Sequence, residues 1–302
     1  MFQKNEINRL AAETPEELCR QSEAFFRGQV RSLCKEIAEN RRSSRVALLS
    51  GPSASGKTTT AGFLTAGLSE YGLSCAVVSL DNYYRNQDEP DYPRNEDGTL
   101  DYEEPGALDV PLIRRHLAMV ERGEAVTVPE FSFIEKCRVP GGTPIDPAET
   151  DVVIFEGIHA LSPEVMGEEL GQAYGIYIRA SSQFFDGPHL LLPKNRLRLA
   201  RRIIRDIRTR GTDVEASLKI WPDVRDGEHR YVMQGKKNAR FVLDSVHPCE
   251  PGLYAPMLLP ALEKEDGPLA EELREIFASF VPVDREYVAP DSLLREFIGY
   301  EE

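Results

Sequence analysis

The sequence predicts an α/β fold, a parallel β-sheet with helices on both faces and helical extensions at the N- and C-terminal ends. Three observations predict it. Short, continuous apolar runs recur at Val46–Leu49, Cys75–Leu80, Val152–Phe155, Gly175–Ile178 and, more weakly, Phe241–Leu243. Helical patterns separate several of these runs, as in the βαβ units that build parallel sheets. The runs do not alternate apolar with polar, which marks strands buried on both faces.

The N-terminal segment, 1–44, is polar and rich in Glu and Arg. Thr14-Pro15-Glu16-Glu17 reads as a helix start, with Thr as N-cap, Pro at the first helical position and acids near the positive end. Leu18, Phe25, Phe26, Val30, Leu33 and Ile37 then trace one amphipathic helix. The stretch 82–106 is polar, with four Asp and three Pro, and reads as a long functional loop. Residues 261–302 read as helical. The expected division is an N-terminal extension (1–44), a main domain (45–260) and a C-terminal helical segment (261–302).

Composition narrows the function. The chain of 302 residues carries a formal charge of −14, which disfavours nonspecific binding to nucleic acid. Its five cysteines are scattered and form no CxxC pair, arguing against a disulfide framework or a structural zinc. No apolar leader and no run of membrane-spanning length is present, so a cytoplasmic protein is expected.

The strongest motif follows the first apolar run. Gly51-Pro52-Ser53-Ala54-Ser55-Gly56-Lys57-Thr58 matches GxxxxGK[ST] between a strand and a helix. In such a P-loop, successive backbone N–H groups and the helix N-terminus bind phosphate oxygens. This sets the P-loop NTPase fold as the expectation. Gly51, Ser53, Ala54, Ser55, Gly56, Lys57, Thr58 and Thr59 become the nucleotide-binding candidates. Lys57 should reach the β- and γ-phosphates of ATP, and Thr58 should ligate Mg²⁺. Glu156 ends the third apolar run and is the second candidate for Mg²⁺. Asp81 ends the second run, where a carboxylate could take the proton of an attacking hydroxyl.

These residues, in this order, resemble the uridine kinase and phosphoribulokinase family of P-loop kinases over about residues 45–245. The resemblance continues through Ser79–Tyr84, Tyr102–Asp109, Pro129–Phe133, Phe155–Ile158 and Arg201–Ile207. It implies a nucleoside-kinase fold with Asp81 as catalytic base. It implies that Tyr84 and Glu103 lie near the acceptor, Glu103 standing where uridine kinases use an Asp on the ribose hydroxyls. Arg202, Arg205 and Arg210 would surround the transferring phosphates on a helix and a mobile lid. The spacing agrees in part, since Arg198, Arg201, Arg202 and Arg205 could share a helix face, with Gly211 as a stop and hinge.

The base-recognition positions depart from uridine kinase. Phe131 and Lys136 stand where those enzymes place a Tyr and a His, and Thr212 and Ile220 replace an Arg and a Gln. The segments Leu218–Val224 and Pro290–Phe297 are similar to a divergent nucleoside-kinase-like branch. Trp221 reads as packing and His159 as a neutral structural histidine. The expected function is MgATP-dependent phosphorylation of a hydroxyl on a small molecule, foremost a nucleoside. The alternatives are a sugar or sugar-phosphate acceptor, which Lys136 favours, and a non-catalytic ATP-binding regulator. The expected partners are a small-molecule acceptor, ATP and Mg²⁺, with no nucleic acid and no membrane. A homo-oligomer is compatible with the sequence.

Overall fold

A computed structural model describes residues 1–133, 135–167, 172–209 and 211–300. In chain order the elements begin with β1 (Phe2–Gln3), α1 (Lys4–Glu13), α2 (Pro15–Glu39), β2 (Val46–Ser50), α3 (Lys57–Ser69) and β3 (Cys75–Ser79). There follow α4 (Val110–Glu121), β4 (Val126–Ser132), β5 (Cys137–Ile145), β6 (Val152–Glu156), α5 (Pro163–Met166), β7 (Tyr174–Arg179), β8 (Phe184–Asp186) and β9 (His189–Leu192). The chain continues through α6 (Lys194–Thr209), α7 (Val214–Gly227), a π-helical turn at Glu228–Val232, α8 (Met233–Gly235) and β10 (Phe241–Asp244). It closes with α9 (Glu250–Leu262), α10 (Pro268–Ala278) and α11 (Arg295–Ile298).

The five apolar runs form one five-stranded sheet in the order β10-β7-β2-β6-β3, and every pairing is parallel. Period-2 geometry explains why each run is apolar throughout. Ala47 and Leu49 face one apolar cluster, while Val46 and Leu48 face the other. In β6, Val152 and Ile154 divide from Val153 and Phe155 in the same way. In the inner strands β2, β6 and β7, burial on both faces leaves no solvent side for polar residues, whereas the edge strands β3 and β10 leave Val77 and Val242 exposed.

The terminal segments share the larger cluster. Phe26, Val30, Leu33 and Ile37 of α2 join Leu64 and Leu68 of α3, Phe277 of α10 and Phe297 of α11. A Cβ at Gly67 would stand 2.7 Å from Cys34 Sγ, so the close approach of α2 to α3 requires glycine there. Thr14 does separate two helices, but its side chain makes no cap hydrogen bond. Its N–H instead donates to Leu10 O at 2.8 Å, closing the end of α1.

Two antiparallel hairpins, β4-β5 and β8-β9, were not expected from the sequence. Pro129, Pro140, Gly141, Gly142 and Pro144 obscure the first, because these residues normally punctuate strands. The second is three or four residues per strand and is extended by β1, with Phe2 against Phe184 at 5.3 Å.

Candidate active site

The carboxyl ends of β2, β3 and β6 form one edge, where open α/β sheets hold ligands. The β2 strand runs directly into the Gly51–Gly56 loop, and α3 starts at Lys57. The loop can bend so tightly only because of its small residues. Gly56 adopts φ 89°, and a Cβ at Gly51 would lie 2.2 Å from Ile178 O. Ala54, at φ 56°, also occupies the left-handed region and is held there by its surroundings.

Those surroundings come largely from α6. The Arg201 guanidinium is fully buried and pairs with Glu250 at 2.7 Å. It also donates to Ala54 O, Ser245 Oγ and Ser245 O. Arg198 donates to Ser53 O at 2.9 and 2.8 Å, and it pairs with buried Glu228 of the π-helical turn. Glu228 in turn accepts the Ser53 N–H at 3.1 Å. Arg202 Nη1 reaches Ser53 Oγ at 3.1 Å. Both backbone groups and the hydroxyl of Ser53 are therefore fixed by side chains. The four arginines do not share one open face. Arg198 and Arg201 are scaffold for the loop, a role that periodicity alone could not separate from phosphate contact.

Lys57 arches back over the loop, its Nζ 3.3 Å from Pro52 O. Thr58 Oγ1 and Glu156 Oε1 lie 3.5 Å apart. Ser79 pairs in register with Glu156, so Asp81, two residues on, stands at the neighbouring strand end. Glu156 is buried, and that burial raises its carboxyl above the usual range. Lys57 opposes the rise, while the charges of Asp81 and Glu296 add to it.

Glu103 reaches the same centre from the long loop. Burial pushes its carboxyl up to about 7, and the Glu228 charge adds to this against Lys57 and Arg202. Its side chain abuts Gly227, where a Cβ would stand 2.7 Å from Glu103 Cβ. The long loop is thereby docked on the end of α7. Tyr84 donates to Tyr102 O at 3.1 Å and meets Phe131 and Phe133 with ring centroids 5.7 and 6.2 Å away. Tyr84 feels the charge of Asp81, and the Phe131 N–H donates to Asn82 Oδ1 at 3.5 Å. Arg138 pins the loop by donating to the backbone oxygens of Tyr83 and Tyr84 and pairing with Asp109.

Not every expected residue converges. Lys136 sits in the exposed turn between β4 and β5 at φ 58°. Arg205 is engaged by its neighbour Asp206 at 2.6 Å. Arg210 lies outside the described residues. Trp221 is buried under Arg198, its ring 5.5 Å from the guanidinium carbon. His159 is buried, and desolvation pushes its imidazole down to about 4, so it is neutral. Sequence reasoning missed Glu228, Arg138 and Glu296, which belong to no motif.

The loop fits a polyphosphate. It presents backbone N–H groups at a helix start, with Ser55 Oγ buried and unpartnered among the described residues. Thr58 and Glu156 fit a divalent cation held mainly by phosphate oxygens and water, the usual mode for Mg²⁺. Among the described residues no three His, Cys, Asp or Glu side chains cluster into an all-protein metal cage. The described residues also include no helix long and apolar enough to cross a membrane.

Fold and edge together define a P-loop phosphotransferase. Comparison with known proteins agrees. The profile of the phosphoribulokinase / uridine kinase family matches residues 46–250, and the chain belongs to that family. The uridine kinase of Vibrio campbellii is 32% identical over 198 residues, covering 65% of this chain and 84% of its own. That of Halobacterium salinarum is 28% identical over 196 residues, covering 65% and 77%. A crystal structure from Silicibacter sp. TM1040, whose proposed assignment is a fructose transport system kinase, shares the fold. It has a TM-score of 0.50 at 21% identity and covers 70% of this chain and 98% of its own. Membership in the family makes the protein an ATP-dependent phosphotransferase acting on a hydroxyl group.

Proposed function

We propose that the protein transfers the γ-phosphoryl of MgATP to a hydroxyl of a nucleoside. The carrying observation is the convergence of Lys57, Thr58, Glu156 and Asp81 on adjacent strand ends of one sheet edge. A Mg²⁺ held by Thr58 and Glu156 would neutralise phosphate charge. The loop amides and Lys57 hold the phosphates. Asp81 accepts the proton of the attacking hydroxyl, and Arg202, beside Ser53, balances charge as the phosphoryl moves. Little covalent chemistry falls to the protein, so positioning carries most of the rate.

A nucleoside acceptor is supported by the uridine kinases among the relatives and by Glu103 beside the aromatic group of Tyr84, Phe131 and Phe133. A carboxylate can accept from vicinal ribose hydroxyls, and an aromatic wall suits a flat base. Phe131 offers no hydrogen bond to a base, so base selectivity should be weak compared with a site built on polar contacts. A sugar-phosphate acceptor would need a cation near the site. Lys136, on the exposed β4-β5 turn, is the cation that this second reading relies on.

The test incubates the protein with MgATP and single nucleosides or pentose phosphates and weighs the products. A nucleoside gaining one phosphoryl group supports the proposal. A pentose phosphate gaining one, with every nucleoside unchanged, moves the acceptor to the second class.

A further inference from the structure

The C-terminal segment beyond the family-matched stretch ends on the phosphate loop. Leu293 covers Gly56, where a Cβ would stand 2.7 Å from Leu293 Cδ1. Three residues on, Glu296 Oε2 accepts the Thr59 hydroxyl at 2.6 Å. The segment is built to hold this position. The buried Arg295 guanidinium donates to the backbone oxygens of Arg285, Val288, Ala289 and Gly299. Ser292 Oγ donates to Glu23 at 2.5 Å, and Arg208 of α6 donates to Phe297 O at 2.6 Å. The Phe297 ring lies 4.9 Å from the Arg201 guanidinium carbon. Glu296 itself is only partly buried, unlike Arg295 and Phe297 on either side.

With the loop amides on the α- and β-phosphates and Lys57 on the β- and γ-phosphates, the nucleoside end of ATP would leave the loop on the side of α3 that bears Thr59. A carboxylate so placed gains nothing from a phosphate, because like charges repel. Its useful partners there are hydroxyl or amine donors. Thr59 engages one carboxylate oxygen, and a carboxylate carries about four acceptor sites in all.

We propose that Glu296 is a specificity-determining residue of the donor site, accepting hydrogen bonds from the ribose hydroxyls of ATP. The C-terminal segment is then one wall of the donor site. The inference rests on the kinase reading above, and its experiment separates the two.

Affinities for ATP and 2′-deoxyATP are measured by calorimetry on wild type, Glu296→Gln and Leu293→Ala. The same pair of donors is then compared by kcat and KM. Gln keeps an acceptor for Thr59 and removes the charge. Wild type should favour ATP over 2′-deoxyATP by about tenfold, the ratio of one charge-assisted hydrogen bond. In Glu296→Gln the ratio should fall severalfold toward unity, through weaker binding of ATP and not of 2′-deoxyATP. Leu293→Ala should weaken both donors alike and leave the ratio intact. An unchanged ratio in Glu296→Gln would overturn the assignment, as would an equal loss of both donors in that variant. Failure of wild type to bind ATP would overturn both this inference and the kinase reading.

Discussion

At the residue scale, two carboxylates are set apart by their surroundings. Asp81 is exposed at a strand end, while Glu103 is buried enough that its carboxyl rises to about 7. Asp81→Asn should lower turnover by about 10²–10⁴-fold while leaving ATP affinity intact, read by steady-state kinetics and calorimetry. For Glu103, protonation removes acceptor capacity below about pH 7 and ionisation restores it above. The acceptor KM should therefore fall as pH rises from 6 to 8, and Glu103→Gln should flatten the profile. Stability moves oppositely. A carboxyl whose folded pKa lies above its unfolded value favours the folded state most at low pH, and that advantage is lost as pH rises through the folded value. Glu103→Gln should thus raise the melting temperature more at pH 8 than at pH 6. Lys57, Thr58, Glu156 and Asp81 were legible in the sequence because each sits at a fixed offset from a strand or loop signal. Glu228 and Glu296 were not, because their partners Ser53 and Thr59 lie far away in sequence and contact arises only in the fold.

At the scale of elements, α6 shows how an arginine-rich helix divides its work. Arg198 and Arg201 stabilise the phosphate loop from below, and Arg202 meets it at Ser53 Oγ. Breaking the fully buried Arg201–Glu250 pair leaves a charge without its partner. Arg201→Ala should cost about 3–5 kcal/mol in denaturant unfolding. The inner sheet strands were legible because burial on both faces forces continuous apolar runs, and the edge strands β3 and β10 because they too are short apolar runs although each leaves a valine exposed. The β4-β5 hairpin was not, because its strands carry prolines and glycines and β5 is mostly half-buried or exposed with no clear period-2 pattern. Its consequence is functional, since Arg138 of β5 fixes the backbone that follows Asp81.

At the scale of the whole molecule, the terminal helical segments share the main apolar cluster and the C-terminal one reaches the loop. Leu273, Phe277, Leu293 and Phe297 are all fully buried. Truncation before α10 should therefore abolish cooperative unfolding, followed by circular dichroism, and not merely shorten the protein. Amphipathic spacing made α2 legible as a packed helix. It could not name the surface covered, because an apolar stripe carries no record of its partner.

Phosphoryl transfer from MgATP to a nucleoside hydroxyl under Asp81 is tested most directly by the release of ADP, followed continuously over a panel of ribo- and deoxyribonucleosides and pentose phosphates. The expected result is sustained release with at least one nucleoside, absent in Asp81→Asn and absent without Mg²⁺. Silence across the nucleosides while ATP remains bound would contradict it.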